Sequence, residues 1–247
     1  MDWQYLWSML RRGRVNALRQ CIFAPDGKVY GNVNELSPDL GRLSGLPFGR
    51  SVLHLLAMCE PPPHVACGSI HDLSALLREL VDEYGADINC IGSNGTPLHD
   101  ACHVANGVLS EGANWHRGIV EALLDSGAHV DGPIDIPKTP LANVIGPPIL
   151  QHRTECKAAC VALLLDRGAD PKRAEVTVGQ LPSWVDDLVK SVPARWAARK
   201  ATITLIGIKR CRRSPVIGPH NPMDIILGIA RDVWRQRDDP EWDHTPK

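Results

Sequence analysis

Apolar residues in the first two thirds of the chain recur at helical spacing in short runs, separated by stretches rich in Gly, Pro, Asn and Asp. The clearest unit is Gly95 to Asp131. It opens with Gly95-Thr96-Pro97-Leu98-His99-Asp100-Ala101-Cys102, in which Thr96 is placed to cap a helix and Pro97 to occupy its first position without losing a hydrogen bond. Leu98, Ala101 and Cys102 then share one face. Ile119, Val120, Leu123 and Leu124 make a second amphipathic stretch, and Gly127 falls where a helix ends in the left-handed conformation. Two short helices cannot bury their apolar faces alone, so the unit predicts neighbours of its own kind.

The neighbours are present. Ser51-Val52-Leu53-His54-Leu55-Leu56-Ala57 repeats the opening with Ser as the cap, and Thr139-Pro140-Leu141-Ala142-Asn143-Val144-Ile145 repeats it without the His. Each copy has its own second helix and Gly-Ala corner: Leu73 to Tyr84 before Gly85-Ala86-Asp87, Ile119 to Ser126 before Gly127-Ala128, and Ala158 to Arg167 before Gly168-Ala169-Asp170-Pro171. The helix starts lie 45 and 43 residues apart and the corners 42 and 41 apart. The link between the two helices is long in every copy and is predicted as loop from Glu60 to His71, from Ala105 to Arg117 and from Gly146 to Glu155.

A weaker pair precedes the first clear copy. Leu6, Met9 and Leu10 form one face and Val15, Leu18 and Ile22 another, with Gly13 near the corner; Asp26 to Gly49 reads as an extended finger or loop. After Arg173 the pattern is expected to stop. Pro182 and Ser183 open a short helix through Val192, another spans Ala194 to Ile208, and Asn221-Pro222 begins a last one with Ile225, Ile226, Ile229, Val233 and Trp234 on its apolar face.

The recurring Thr-Pro-Leu-His box, paired helices and Gly-Ala corner resemble the ankyrin repeat. The resemblance implies an all-α solenoid of helix-turn-helix units over 1–180, with a degenerate first repeat, clear repeats at about 50–89, 95–131 and 138–172, long inter-helix insertions, and a C-terminal helical capping module over 181–247. An ordinary ankyrin period is about 33 residues, so each copy here carries extra length. In that family turns project from the stack and inner helices line a concave protein-binding surface. Carried onto this chain, the projecting fingers are Leu46 to Arg50, Cys90 to Gly95 and Gly132 to Lys138, and the inner-helix positions lie near Met58, Cys59, Asp100, His103, Asn106 and Asn143. The implied partner-binding residues are Arg50, Ser93, Asn94, Asp100, His103, Asp135, Lys138 and Asn143. The segment Pro222-Met223-Asp224-Ile225-Ile226-Leu227-Gly228-Ile229 is similar to the core of F-box-like tails in viral and protist ankyrin proteins, which recruit a ubiquitin-ligase scaffold; a plain capping helix is the other reading.

Composition narrows the function further. The net charge of −1 gives no global attraction to nucleic acid or anionic membrane, and no segment approaches the length of a membrane span. Locally, Lys190 to Arg213 holds eight basic residues and no acid, among them Lys209, Arg210, Arg212 and Arg213, which would suit phosphates or an acidic partner as well as plain solvation. The eight cysteines form no CxxC pair and read as reduced thiols of an intracellular, cytoplasmic or nuclear protein. His54, Cys59, His64, Cys67 and His71 lie close together, but their gaps do not reproduce a zinc arrangement. No phosphate loop, nucleophile elbow or H-E-x-x-H appears. The expectation is therefore a non-enzymatic protein-binding scaffold without metal or cofactor. A ligase-recruiting substrate adaptor and a basic-patch nucleic-acid binder are the alternatives.

Overall fold

Each of the three box sequences opens a helix in the computed structural model, which describes residues 2–38 except 25 and 29, then 49–61, 69–107, 113–146, 154–179, 181–193 and 195. The helices are α1 (Trp3–Arg11), α2 (Val15–Ile22), α3 (Val52–Ala57), α4 (Ile70–Asp82), α5 (Pro97–Gly107), α6 (Ala113–Asp125), α7 (Pro140–Ile145), α8 (Thr154–Asp166) and α9 (Pro171–Val178), followed by α10 (183–193). No β-strand occurs among the described residues, which are mainly helical.

Local chemistry starts the three box helices at Ser51, Thr96 and Thr139 and ends the second helices at the Gly corners, as the sequence predicts. Thr139 Oγ1 accepts from the Ala142 N–H at 3.1 Å, with Pro140 in the first turn. Gly13, Gly85, Gly127 and Gly168 hold φ values of +58°, +65°, +93° and +91°, which releases the chain from a helix at little steric cost. α1 begins earlier than the apolar periodicity suggests, because Asp2 caps it through Tyr5 N and Trp3 is buried.

The helices pair as α1·α2, α3·α4, α5·α6 and α7·α8, and the pairs stack. The first members touch in series, α1 to α3 to α5 to α7 to α9, and the second members likewise, α2 to α4 to α6 to α8. The core between the two rows is aliphatic: Leu6, Leu10, Leu18, Ile22, Leu53, Leu56, Leu73, Leu77, Leu80 and Leu98 are all sealed from solvent. Ion pairs join some neighbours on the second row. Arg19 of α2 grips Glu79 of α4 beside the packed rings of Phe23 and Tyr84, and Arg167 binds Asp125 at 2.6 Å.

A polar ladder joins the corners. Asn34 Oδ1 accepts from the Asp87 N–H at 2.7 Å while its Nδ2 donates to the Gly85 carbonyl at 3.2 Å. Asn89 does the same at the next corner, accepting from the His129 N–H at 2.8 Å and donating to the Gly127 carbonyl at 3.3 Å. Asp131 Oδ1 accepts from the Asp170 N–H at 3.0 Å.

Two expectations are corrected. Ala105 to Arg117 is not a loop: α5 runs on to Gly107 and α6 starts at Ala113, because Trp115 and Ile119 lie four apart on a buried face and Trp115 Nε1 donates to the Cys59 carbonyl at 2.9 Å. In the same way α4 begins at Ile70, capped by Ser69, and α8 begins at Thr154, so each second helix starts earlier than read. The helical pattern also does not stop at Arg173. Asp170 caps α9 by accepting from the Lys172 N–H at 2.9 Å, with Pro171 as its first residue, and α9 packs on α7.

Met1–Val189 forms one compact unit and Lys190–Lys247 a second, of which only 190–193 and 195 are described. Apart from Arg195, the helices expected over 194–208 and 221–237, the F-box-like segment and the basic residues Lys209, Arg210, Arg212 and Arg213 lie outside the described residues. Among the described residues no helix is long and apolar enough to cross a membrane.

Candidate functional site

Between the corners at Gly85 and Gly127 and the next capped helix the chain makes a short excursion, forming the fingers Cys90 to Gly95 and Gly132 to Lys138. The first is a tight hairpin turn. The Gly92 N–H donates to the Gly95 carbonyl at 2.8 Å, which leaves Ser93 and Asn94 at the tip. The Ser93 N–H donates to the Gly49 carbonyl at 2.9 Å, so the turn lies against the end of the preceding finger. Side chains do not fit between them: a Cβ on Gly92 would stand 2.6 Å from Gly49 O and 2.8 Å from His54 Nε2.

The box histidines brace the base of each finger. His54 Nδ1 accepts from the Ser51 N–H at 3.2 Å and pairs with Ser51 Oγ at 2.8 Å, so its Nε2 carries the proton donated to the Gly95 carbonyl at 2.9 Å. His99 repeats the arrangement one unit on, with Nδ1 taking the Thr96 N–H at 3.1 Å and Thr96 Oγ1 at 2.8 Å. Its Nε2 makes no hydrogen bond of ordinary geometry, although the Lys138 carbonyl acts on it as a backbone acceptor. Burial holds both rings neutral, with pKa values lowered to about 4. His54 therefore ties its own box to the next finger by a hydrogen bond, and His99, tied to Thr96, packs against Gly132 of the finger after it. At Ala142 the brace is missing, and Asn143 Nδ2 instead donates to the His99 carbonyl at 3.1 Å.

Arg50 sits beneath the first described finger and is 5% exposed. Its guanidinium takes Asp100 in a two-pronged grip, Nε to Oδ2 at 2.5 Å and Nη2 to Oδ1 at 3.1 Å, while Nη1 donates to Ser93 Oγ. With its amide oriented to satisfy both neighbours, Asn94 Oδ1 accepts from Arg50 Nη2 at 2.8 Å and Nδ2 donates to the Ser93 carbonyl at 3.1 Å. Asp100 is 2% exposed, and burial raises its pKa against the opposing pull of Arg50. Ser37 closes the cluster by accepting from the Arg50 N–H at 3.0 Å.

Of the residues expected to meet a partner, Arg50, Asp100 and Asn143 are buried and turned inward, whereas Ser93, Asn94, His103, Asp135 and Lys138 are exposed. Sequence reasoning passed over two exposed residues on the same fingers. Ile91 is 57% exposed and Ile134 67% exposed. Each stands five residues before its helix cap, Thr96 or Thr139, so the repeat register would have found them had it been followed through the turns. No such finger follows the Gly168-Ala169 corner, which passes directly into the Asp170 cap of α9.

Four described thiols, those of Cys21, Cys59, Cys102 and Cys160, are buried. Cys59 is pushed up to about 12 by burial, Cys102 is raised for the same reason, and the half-buried Cys90 lies 3.2 Å from Ser51 Oγ. Cys21, Cys59, Cys90, Cys102 and Cys160 are free thiols. Of the five residues weighed for zinc, His54 is engaged as described, Cys59 Sγ faces the Leu10 carbonyl, and His64 and Cys67 lie outside the described residues. Among the described residues no three His, Cys, Asp or Glu side chains gather as a metal site would require. Compared with known proteins, the chain matches no family model and no curated protein.

Proposed function

We propose that Met1–Val189 is an ankyrin-type array and that the chain is a non-enzymatic scaffold whose protein partner binds along the fingers and the adjoining exposed positions of the first helix row. The array reading is supported by the two stacked rows, by the box histidines reaching the next turn, and by the Asn34–Asn89–Asp131 ladder between corners. Isolated exposed aliphatic residues are common and call for no explanation. Ile91 and Ile134 differ because they occupy the same register on successive fingers, beside the exposed polar groups of Ser93, Asn94, Asp135 and Lys138. That repetition is the observation that carries the reading. A partner pressing on both would bury two aliphatic side chains, each contributing about 1.5–3 kcal/mol.

The test is affinity capture with the full chain, repeated with Ile91→Asp plus Ile134→Asp and, separately, with charge-reversing or bulky changes at Asn94, Asp135 and Lys138. The double isoleucine variant should lose at least about tenfold in affinity for whatever the wild type retains specifically, with the thermal unfolding midpoint unchanged. Retention that survives both sets of changes rules out the fingers as the contact surface.

A further inference from the structure

The Arg50–Asp100 pair has no counterpart elsewhere in the described array. In repeat register, Arg50 is the residue before a helix cap, and its equivalents are Gly95 and Lys138; Asp100 is the fifth residue of a box, and its equivalents are Asn143 and Ala174. The same step along the array therefore joins Arg to Asp once, Gly to Asn once, and Lys to Ala once. Lys138 is exposed, whereas Arg50 is enclosed between the finger that precedes α3 and the helix α5 that follows the next finger. Desolvating a guanidinium and a carboxylate is costly, and hydrophobic residues of like volume often stabilise a fold as well. What the pair supplies here is direction. The guanidinium fork has two prongs on Asp100, and its remaining reach ends on Ser93 Oγ and Asn94 Oδ1, the two tip residues of the finger. The finger's own backbone is closed around this contact, with the N–H groups of Cys90, Gly92 and Ser93 donating to Asp87, Gly95 and Gly49 carbonyls.

We infer that Arg50, held by Asp100, is a positioning residue that locks the finger Cys90 to Gly95 into one preformed shape, so that a protein partner meets Ile91, Ser93 and Asn94 as a rigid patch. The inference rests on the finger-binding reading above and deepens it: the recognition edge has a rigid member, braced from inside, and a second finger at Gly132 to Lys138 without an equivalent ion pair. Recognition by the first finger then carries little ordering entropy, as preorganised contacts do. Lysine is not an adequate replacement, because an ammonium cannot span the carboxylate and both tip residues at once.

Amide hydrogen exchange on the full chain decides the matter without a partner, so the lock and the binding reading fail separately. Arg50→Lys and Asp100→Asn should speed exchange across 90–95 by about tenfold or more, the local cost of a lost charge-assisted contact, while amides of α6 and α8 keep their wild-type rates. A role in bulk stability alone would instead raise exchange throughout the array in step with a lowered Tm, and that outcome overturns the inference. Unchanged protection at 90–95 in both variants also overturns it. Should either buried variant fail to fold, Ser93→Ala, which alters an exposed side chain and removes one arm of the grip, must still speed exchange at 92–95; wild-type rates there would be decisive against the lock.

Discussion

Gly132, packed against a histidine, leaves less room for a side chain than Gly92, Gly95 or Gly118. Gly132 has φ +67°, and a Cβ there would lie 2.2 Å from His99 Cε1 and 2.9 Å from its Nε2. The ring has nowhere to retreat, since it is buried and tied to Thr96. Gly127, at φ +93°, has open space where its Cβ would be. Gly132→Ala should therefore cost about 2–4 kcal/mol, backbone strain plus overpacking, whereas Gly127→Ala should cost only the strain, about 1–2 kcal/mol. Urea midpoints of the two variants measure the difference, and equal losses would contradict the His99 clash. Single residues are also where the sequence was hardest to read. Arg50 and Asp100 look like surface charges because nothing within ten residues of either predicts a partner; their pairing depends on how one unit stacks on the next across 50 positions. Ile91 and Ile134 were overlooked for the opposite reason, since a lone aliphatic in a polar turn carries no periodic signal of its own.

Elements were more legible, because caps, corners and helical faces act within a few residues. Ser51, Thr96 and Thr139 mark their helix starts, Gly85, Gly127 and Gly168 their corners, and the apolar faces of α4, α6 and α8 are the buried ones. The helix α9 escaped notice because Asp170-Pro171 follows the Gly-Ala corner so closely that it reads as part of the turn. Chemically it is a cap and first residue of the same kind as Thr139-Pro140, with the finger deleted between them. That deletion has a consequence for stability. α9 is short, one of its faces is exposed at Val176, and its start is secured twice, by Asp170 on the Lys172 N–H and by Asp131 on the Asp170 N–H. Asp170→Ala removes the first tie and should cost about 1 kcal/mol. The loss should be local: exchange in 171–178 should quicken while α3 to α6 remain as protected as before. Uniform loosening of the array would mean instead that α9 is part of its cooperative core.

Across the array, three histidines that are buried among the described residues set the response to acid. His54, His99 and His116 each have a pKa lowered to about 4, chiefly by burial, against an ordinary 6.5. Above pH 6.5 the folded and unfolded chains both hold these rings neutral and the stability is fully present. As pH falls from 6.5 toward 4 the unfolded chain takes up protons that the folded chain refuses, so each ring subtracts up to about 3 kcal/mol. Arg50 and His99 around His54, and Arg173 near His99, push the same way by repelling an added charge. The raised pKa of Asp100 opposes the trend, since the folded carboxyl gains its proton earlier than the unfolded one does. Three such losses rival the usual stability of a domain, about 5–15 kcal/mol, so unfolding should set in between pH 6 and 4, where ordinary carboxylate-driven denaturation has hardly begun. The three rings are not equivalent, and this separates the cause from the trend. His54 is held at both nitrogens, whereas His116 is 1% exposed and neither of its nitrogens has a partner. Replacing an unpaired buried polar ring by a similar apolar volume recovers its desolvation penalty, about 1–3 kcal/mol. His116→Leu should therefore raise the denaturation midpoint at pH 7 and shift the acid transition downward. His54→Leu should lower stability at pH 7, because it strands the Ser51 N–H and removes the Nε2 bond to the Gly95 carbonyl, even as it removes one titrating group. Denaturant curves at pH 7 and pH 5 for the two variants give all four numbers, and a His116→Leu protein as acid-sensitive as the wild type would sever the link between these rings and the acid transition.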